Sequence, residues 1–172
     1  MINQKILNKA KRIKLIATDI DGVWTDSKMY YTEAGLYMKA FSTYDGLGAS
    51  LALKNNFIIT MITSEYEHLD ILYKRAKKLK IKEIYTNEHD KLNRLKYVMK
   101  KYNLTSENIA YIGDDLNDLE ALQFAGFSAS PSNAPILNYY EPDFITCKAG
   151  GQGAFRELVD LILKAYNITP KY

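Results

Sequence analysis

The sequence predicts an α/β fold in which helices cover both faces of a doubly wound parallel sheet. Three observations support this prediction. Runs of aliphatic and β-branched residues, at 13–17, 57–62, 83–85, 109–112 and 127–129, are typical of strands buried on both sides. Segments with helical spacing of apolar residues lie between these runs, as in strand–helix–strand units. Polar side chains follow several runs, at the edge where such sheets bind ligands.

The composition is that of an ordinary globular protein. The 172 residues are 47% hydrophobic and 25% charged, so we expect a single domain over residues 1–172. The net charge of +3 predicts no nucleic-acid partner, and the sole cysteine, Cys147, fits a reducing compartment. No apolar run approaches the roughly 20 residues that cross a bilayer. The lysine-rich segment 1–14 predicts a short helix without the apolar core of a signal peptide. We therefore expect a cytoplasmic protein with no membrane partner.

The first predicted strand ends in two carboxylates. Asp19 and Asp21 are separated by one residue, so in an extended segment their side chains lie on one side. Two like charges that close repel each other, and a bound cation removes the conflict. Carboxylate oxygens favour Mg²⁺, which also engages substrate phosphates. Taken alone, the pair is better explained by a strand end followed by an Asp21-Gly22 turn.

The segment that follows predicts a β-hairpin at about 28–41, which we call the flap. Two stretches rich in aromatic residues, 28–31 and 36–41, flank a turn at 32–35 that contains glycine. Their large side chains have few apolar partners nearby in the sequence. We expect the flap to dock, either within the chain or on another subunit, and the latter is favoured because Tyr, Phe and Met are enriched in interfaces.

Two later strand–helix junctions hold further candidates. The strand 57–62 ends at Thr63, and Ser64 with Glu67 matches a capping box that predicts the start of a helix. Another predicted helix has Lys91 in its first turn. A cation there opposes the helix dipole, so Lys91 is a candidate for a role other than helix stability.

Acidic and amide side chains crowd the turn after the fourth strand. The strand 109–112 is followed by Gly113-Asp114-Asp115-Leu116-Asn117-Asp118. Capping and the helix dipole account for one or two of these residues. Capping rarely needs so many, so the others are candidates for a functional site.

The carboxyl ends of parallel strands meet at one edge of a sheet, which brings these candidates together. The set suits phosphoryl transfer, in which catalysis depends on positioning and charge stabilisation. Mg²⁺, Lys91 and the Thr63 hydroxyl can hold the phosphoryl oxygens. One carboxylate can act as a nucleophile through an aspartyl-phosphate, and a second can protonate the leaving oxygen and then activate water.

Four segments in this order resemble the motifs of the haloacid dehalogenase superfamily of phosphatases: Asp19-Ile20-Asp21-Gly22-Val23, Thr63, Lys91 and Gly113-Asp114-Asp115. The resemblance covers nearly the whole chain. It implies that Asp19 is the nucleophile and a metal ligand, and that Asp21 is the acid/base and lends its backbone carbonyl to Mg²⁺. Asp114 would be the third protein ligand, while Thr63 and Lys91 would bind the phosphoryl group. The residues that would support this site are Asp115, Asn117 and Asp118.

Most members of that superfamily insert a cap domain, whereas this chain has only the flap. With Lys39-Ala40-Phe41 and the run 150–157, this resembles a capless branch that hydrolyses phosphates of 3-deoxy-2-keto sugar acids. In that branch the hairpins pack together in a homotetramer, and a neighbouring subunit helps to close each site. The resemblance implies a sugar phosphate substrate, contacted by Ser42, Thr43, Tyr44, Asp45, Gly46, Ser64, Glu65 and Arg75.

The second motif leaves two substrates open. Phosphatases of 3-deoxy-D-manno-octulosonate (KDO) 8-phosphate usually read Thr-Gly-Arg here, whereas this chain reads Thr63-Ser64-Glu65. The relatives that act on nonulosonate 9-phosphates are similar to this chain in having Glu at this position and in the run Asp-Gly-Val-Trp-Thr-Asp. An acid repels a substrate carboxylate and accepts hydrogen bonds from hydroxyls or an amine.

Two other functional classes share some of these features. A phospho-receiver signalling domain would place its acidic pair and its phosphorylated Asp on different strands, and it needs only about 120 residues. A catalytically silent oligomerisation module would not need every motif residue, and all are present.

Overall fold

The structure, a computed structural model, describes residues 3–169 and is built on a six-stranded parallel sheet. The spatial order of its strands reverses at the first strand, because the chain first fills one side of that strand and then the other. The carboxyl end of the first strand is therefore the switch point where such sheets bind ligands. The strands are β1 (Leu15–Thr18), β2 (Tyr30–Thr32), β3 (Gly35–Met38), β4 (Ile58–Ile62), β5 (Glu83–Tyr85), β6 (Ile109–Ile112), β7 (Phe127–Ser130) and β8 (Phe144–Ile145), of which six form the sheet in the order β5-β4-β1-β6-β7-β8.

Helices cover both faces of this sheet. They are α1 (Gln4–Ala10), α2 (Thr43–Lys54), α3 (Asp70–Leu79), α4 (Lys91–Lys101), α5 (Leu119–Phe124) and α6 (Ala154–Ala165). Helices α1, α2, α3 and α6 pack on one face of the sheet, and α4 and α5 pack on the other. The side chains of β1 alternate accordingly, with Ile16 in the first apolar cluster and Leu15 and Ala17 in the second.

The predicted fold class is confirmed within the described residues: a doubly wound parallel sheet with a hairpin flap and without a cap domain. No helix between residues 3 and 169 has both the length and the apolar character needed to cross a membrane. Residues 1 and 2 of the predicted N-terminal helical segment 1–14 lie outside the described part.

Two helices begin where the sequence did not predict. The polar stretch 42–46 predicts a loop before a helix at 47–54, but residues 43–46 form the first turn of α2, because the Ser42 side chain caps the helix by accepting the N–H of Tyr44 at 3.2 Å. The helix start predicted from the capping box at Ser64 is wrong, since α3 begins only at Asp70. Ser64 instead donates its hydroxyl to the carbonyl of Glu88 at 3.0 Å.

The flap consists of β2 and β3, paired antiparallel. Leu36 and Lys39 are buried at its contact with the rest of the chain. Most of its large side chains stay exposed in the single chain: Met29, Tyr30, Tyr31, Tyr37 and Met38.

Candidate active site

The carboxyl edge of the sheet holds a cavity of about 600 Å³. Asp19 and Asp21 line it from the end of β1, and Ser27 and Met29 from the base of the flap. The loop 63–66 after β4 and the turn 114–117 after β6 complete the lining. The structure thus brings together the carboxylates and the threonine that the sequence singled out on separate strands.

Lys91 lies beneath this cavity, at the start of α4. Its Nζ is 2.9 Å from Asp19 Oδ1 and 2.7 Å from Asp118 Oδ1, and its side chain is 1% exposed. Burial acts to lower the pKa of Lys91, but the two carboxylates outweigh it and the pKa is raised. Lys91, Asp19 and Asp118, which we call the Lys91 cluster, therefore keep a permanent cation beside the predicted nucleophile.

Asp118 organises the turn after β6. One oxygen accepts hydrogen bonds from Lys91 and, at 2.6 Å, from the Tyr111 hydroxyl. The other accepts the backbone N–H groups of Asp114 at 2.9 Å and Asp115 at 3.3 Å. Because both oxygens are occupied, Asp118 orients its neighbours from below the cavity.

The other two residues predicted to support the site, Asp115 and Asn117, lie on the same turn. The Asp115 carboxylate accepts the N–H of Leu116 at 2.8 Å and so caps the short 3₁₀ turn at 116–118. Asn117 lines the cavity. Asp115 thus shapes the backbone of the turn, while Asn117 forms part of the cavity wall.

The acidic groups of the cavity fit a divalent cation. Carboxylate oxygens of Asp19, Asp114 and Asp118 lie within 4.8 Å of one another. Burial and the neighbouring carboxylates raise the pKa of Asp19 to about 7 and that of Asp114 to about 8. A hard cation relieves this repulsion, so the donor set matches Mg²⁺. Since Asp118 is already occupied by other donors, Asp19 and Asp114 are the side chains that would hold the ion, and the family resemblance adds the backbone carbonyl of Asp21.

Two glycines allow this close packing. Gly22 has a φ of +93°, and a Cβ there would lie 1.9 Å from Asp114 Oδ2. A Cβ at Gly150 would lie 1.8 Å from the carbonyl oxygen of Gly22. The Gly151 N–H donates to the carbonyl of Val23 at 2.9 Å. The glycine-rich segment before α6 therefore holds the loop that follows β1; its one signal in the sequence was the run 150–157 that supported the family resemblance.

Asp21 is held by a lysine that the sequence reasoning missed as a functional residue. Lys39 Nζ is 2.6 Å from Asp21 Oδ2 and 3.0 Å from Glu65 Oε2. Burial acts to lower the pKa of Lys39, but the hydrogen bond to Asp21 and the contact with Glu65 leave it raised. We call these three residues the Lys39 cluster. The one signal for it was the Lys39-Ala40-Phe41 run that supported the family resemblance.

The structure brings only part of the predicted sugar-binding set to the cavity. Ser64 and Glu65 line it. Asp45 does not, because it is buried and its carboxylate accepts the N–H of Arg156 at 2.9 Å at the start of α6. Burial raises the pKa of Asp45 to about 6. The predicted residues that lie outside the cavity of the single chain are Ser42, Thr43, Tyr44, Asp45, Gly46 and Arg75.

Arg75 joins α3 to the end of the flap. Its Nη2 donates to the carbonyl of Ser42 at 2.9 Å, and its guanidinium lies 5.3 Å from the centre of the Phe41 ring. It therefore supports the entry into α2 rather than the cavity wall.

Comparison with known proteins agrees with this geometry. The family model of haloacid dehalogenase-like hydrolases matches residues 9–137. A protein from Salmonella typhi named 3-deoxy-D-manno-octulosonate 8-phosphate phosphatase KdsC is 34% identical over 164 residues, which cover 95% of this chain and 86% of the relative. The protein of that name from Haemophilus influenzae is 35% identical over 157 residues, which cover 91% of this chain and 86% of the relative.

Solved structures give the same result. The phosphatase of that name from Moraxella catarrhalis, crystallised with a magnesium ion, a phosphate ion and KDO, superposes with a TM-score of 0.91 at 40% identity over 96% of this chain and 94% of the other. The enzyme from Yersinia pestis has a TM-score of 0.92 at 32% identity over 96% and 89% of the two chains. These matches confirm the resemblance stated from the motifs. The chain belongs to the haloacid dehalogenase-like hydrolase family.

Proposed function

We propose that this protein is a Mg²⁺-dependent phosphatase that hydrolyses the phosphomonoester of a 3-deoxy-2-keto sugar acid. One observation carries the proposal: the carboxylates of Asp19 and Asp114 face one cavity, with the Lys91 ammonium 2.9 Å from Asp19. This arrangement offers a nucleophile, a cation site and a fixed positive charge to one phosphoryl group. The named activity of the relatives supports the substrate class.

The reaction would proceed in two steps on this chain's side chains. Asp19 attacks phosphorus and forms an aspartyl-phosphate while the alcohol leaves. Asp21 donates a proton to the leaving oxygen and then takes one from the water that hydrolyses the aspartyl-phosphate. Lys91 and Thr63 bind the phosphoryl oxygens. Mg²⁺, when bound, neutralises the charge of the phosphoryl group.

KDO 8-phosphate is the first candidate substrate, because the similar curated proteins carry that activity in their names. A nonulosonate 9-phosphate is the second, and Glu65 is the observation that favours it. The Glu65 carboxylate lines the cavity and is held by the N–H groups of Tyr66 and Glu67, at 3.1 and 3.2 Å. A fixed acceptor of this kind suits a substrate hydroxyl or amine.

The direct test measures phosphate release from both keto-sugar phosphates, with Mg²⁺ and with EDTA. We expect Mg²⁺-dependent multiple turnover on at least one of them, and a loss of at least about 10³-fold in Asp19→Asn. A single phosphorylation that stops at the aspartyl-phosphate would instead favour a receiver domain. An intact assembly without phosphate release would favour a silent module.

We further propose that the protein acts as a cytoplasmic homotetramer, without nucleic-acid or membrane partners. The flap supports this, since Tyr31 is 60% and Tyr37 is 70% exposed in the single chain. Large aromatic side chains of this kind are typical of interfaces. Light scattering after gel filtration should give a tetramer mass for the natural protein and a smaller mass for the Tyr31→Ser, Tyr37→Ser double variant. A monomer mass for the natural protein would contradict this proposal.

A further inference from the structure

Lys39 differs in burial from its neighbours on the flap. Tyr37 is 70% and Met38 is 46% exposed, whereas the Lys39 side chain is 0% exposed. A lysine is rarely buried unless a partner compensates its charge. The end of the flap is therefore held by specific polar contacts.

Those contacts are two carboxylates from different loops. Lys39 Nζ lies 2.6 Å from Asp21 Oδ2, after β1, and 3.0 Å from Glu65 Oε2, after β4. Both distances are those of charge-assisted hydrogen bonds. The remaining oxygens are also held, since Asp21 Oδ1 accepts the Thr25 hydroxyl at 3.2 Å and Glu65 Oε1 accepts two backbone N–H groups. The ammonium thus fixes both carboxylates in direction.

Lys39 lies behind the carboxylates and does not line the cavity, unlike Asp21 and Glu65. Any effect of Lys39 on a substrate would therefore pass through these two residues. The Lys39 ammonium contacts Asp21 and Glu65, whereas the Lys91 ammonium lies 2.9 Å from the proposed nucleophile Asp19, so binding of the phosphoryl group is assigned to Lys91 and not to Lys39.

We propose that Lys39 is a positioning residue whose ammonium aims the Asp21 carboxylate at the leaving-group oxygen and makes that aim depend on the docked flap. The proposal rests on the proposed function, because it requires Asp21 to be the acid/base. Its chemical consequence is specific: without Lys39, phosphoryl transfer to Asp19 continues, but the leaving oxygen is protonated less effectively.

Two aryl phosphates separate these effects. Phenolate is a much stronger base than p-nitrophenolate, so its expulsion depends more on a proton from Asp21. Neither compound carries a sugar, so contacts with Glu65 do not enter. The value of kcat/KM covers the steps up to the first irreversible one, the formation of the aspartyl-phosphate.

We expect Lys39→Met to lower kcat/KM for phenyl phosphate at least about ten-fold more than for p-nitrophenyl phosphate, within the 10²–10⁴-fold range of acid catalysis. Lys39→Arg keeps the charge and should restore most of the difference. Lys28→Met is the matched control, because Lys28 lies at the base of the flap with a side chain 71% exposed and pairs with Asp26. It should leave the ratio of the two rates unchanged.

A double-mutant cycle tests whether the effect passes through Asp21. In the Asp21→Asn background, Lys39→Met should cause no further change in the ratio. The proposal would be overturned if Lys39→Met lowered kcat/KM equally for both aryl phosphates. It would also be overturned if Lys39→Met changed the ratio by the same factor in the Asp21→Asn background. Lys39→Gln, which keeps a hydrogen-bond donor, replaces Lys39→Met if that variant does not fold by circular dichroism.

The outcomes distinguish this inference from the proposed function. If the natural protein hydrolyses neither aryl phosphate with Mg²⁺, the phosphatase proposal fails. A different result refutes only the role of Lys39. In that case the natural protein hydrolyses both aryl phosphates and Asp19→Asn is inactive, but Lys39→Met leaves the ratio of the two kcat/KM values unchanged.

Discussion

Two buried lysines near the candidate site invite comparison, because each lies between two carboxylates. In the Lys91 cluster the ammonium is 2.9 Å from Asp19 and 2.7 Å from Asp118. In the Lys39 cluster it is 2.6 Å from Asp21 and 3.0 Å from Glu65. The chemistry of the contacts is therefore nearly the same.

The two clusters differ in what carries the lysine. Lys91 belongs to the first turn of α4, and its partner Asp118 is held by Tyr111 of β6 and by backbone N–H groups. Lys39 follows a two-stranded hairpin, an element that is marginally stable by itself. An ion pair within the core of the fold keeps a charge in place, whereas an ion pair at the end of the flap ties Asp21, the proposed acid/base, to the docking of another segment.

The largest effect should come from Lys91→Met. It leaves Asp19 and Asp118 buried without their cation, and breaking a buried pair in this way costs about 3–5 kcal/mol of unfolding free energy. We expect a loss of turnover of at least about 10³-fold as well. Lys39→Met should cost less stability, because the side chain of Asp21 is 20% exposed. Urea unfolding measures the loss of unfolding free energy in both variants. Equal losses would contradict the proposed difference between the two clusters.

A smaller effect concerns pH and the metal. The pKa values of Asp19 and Asp114, about 7 and about 8, lie above the ordinary value of 3.8. In the metal-free protein, proton binding by these two carboxyls therefore contributes to the free energy of unfolding. This contribution is fully present below about pH 4 and is lost as the pH rises through 7 to 8. Mg²⁺ replaces those protons, so it should stabilise the fold more at pH 8 than at pH 6.

Thermal unfolding with EDTA or Mg²⁺ at pH 6, 7 and 8 checks this prediction. Lys39→Met should keep the pH dependence of the Mg²⁺ effect, because the groups that cause it lie in or beside the Lys91 cluster. If Mg²⁺ raised the unfolding temperature of the natural protein equally at pH 6 and pH 8, this prediction would be contradicted.

The smallest effect should be a change in substrate preference at Glu65. Glu65→Arg is expected to shift preference toward KDO 8-phosphate over a nonulosonate 9-phosphate, but its guanidinium would lie beside the Lys39 ammonium. Glu65→Gln is the cleaner change, since it keeps the size and removes the charge. We expect its ratio of kcat/KM values for the two phosphates to change by about 3–10-fold. An unchanged ratio in both variants would remove Glu65 from the specificity argument.

Local patterns predicted the central strands well because buried parallel strands are short, continuous apolar runs. The starts of α2 and α3 were not predicted, since they depend on which side chain captures the free N–H groups after the preceding strand or loop; no side chain caps α3 itself. At α2 it is Ser42, within the expected loop. After β4 it is Glu65, which accepts N–H groups of the loop that the capping box assigned to a helix.

By itself, the sequence determined the order of strands and helices and the residues that end each strand. The carboxyl ends of parallel strands meet at one edge, so this was enough to expect Asp19, Asp21, Thr63 and Asp114 at one site. Only the tertiary structure decided that Lys39 pairs with residues 18 and 26 positions away and that Asp45 accepts a hydrogen bond from a residue 111 positions away. Such contacts depend on how distant segments pack, and a buried charge takes the partner that packing provides, which no local pattern encodes.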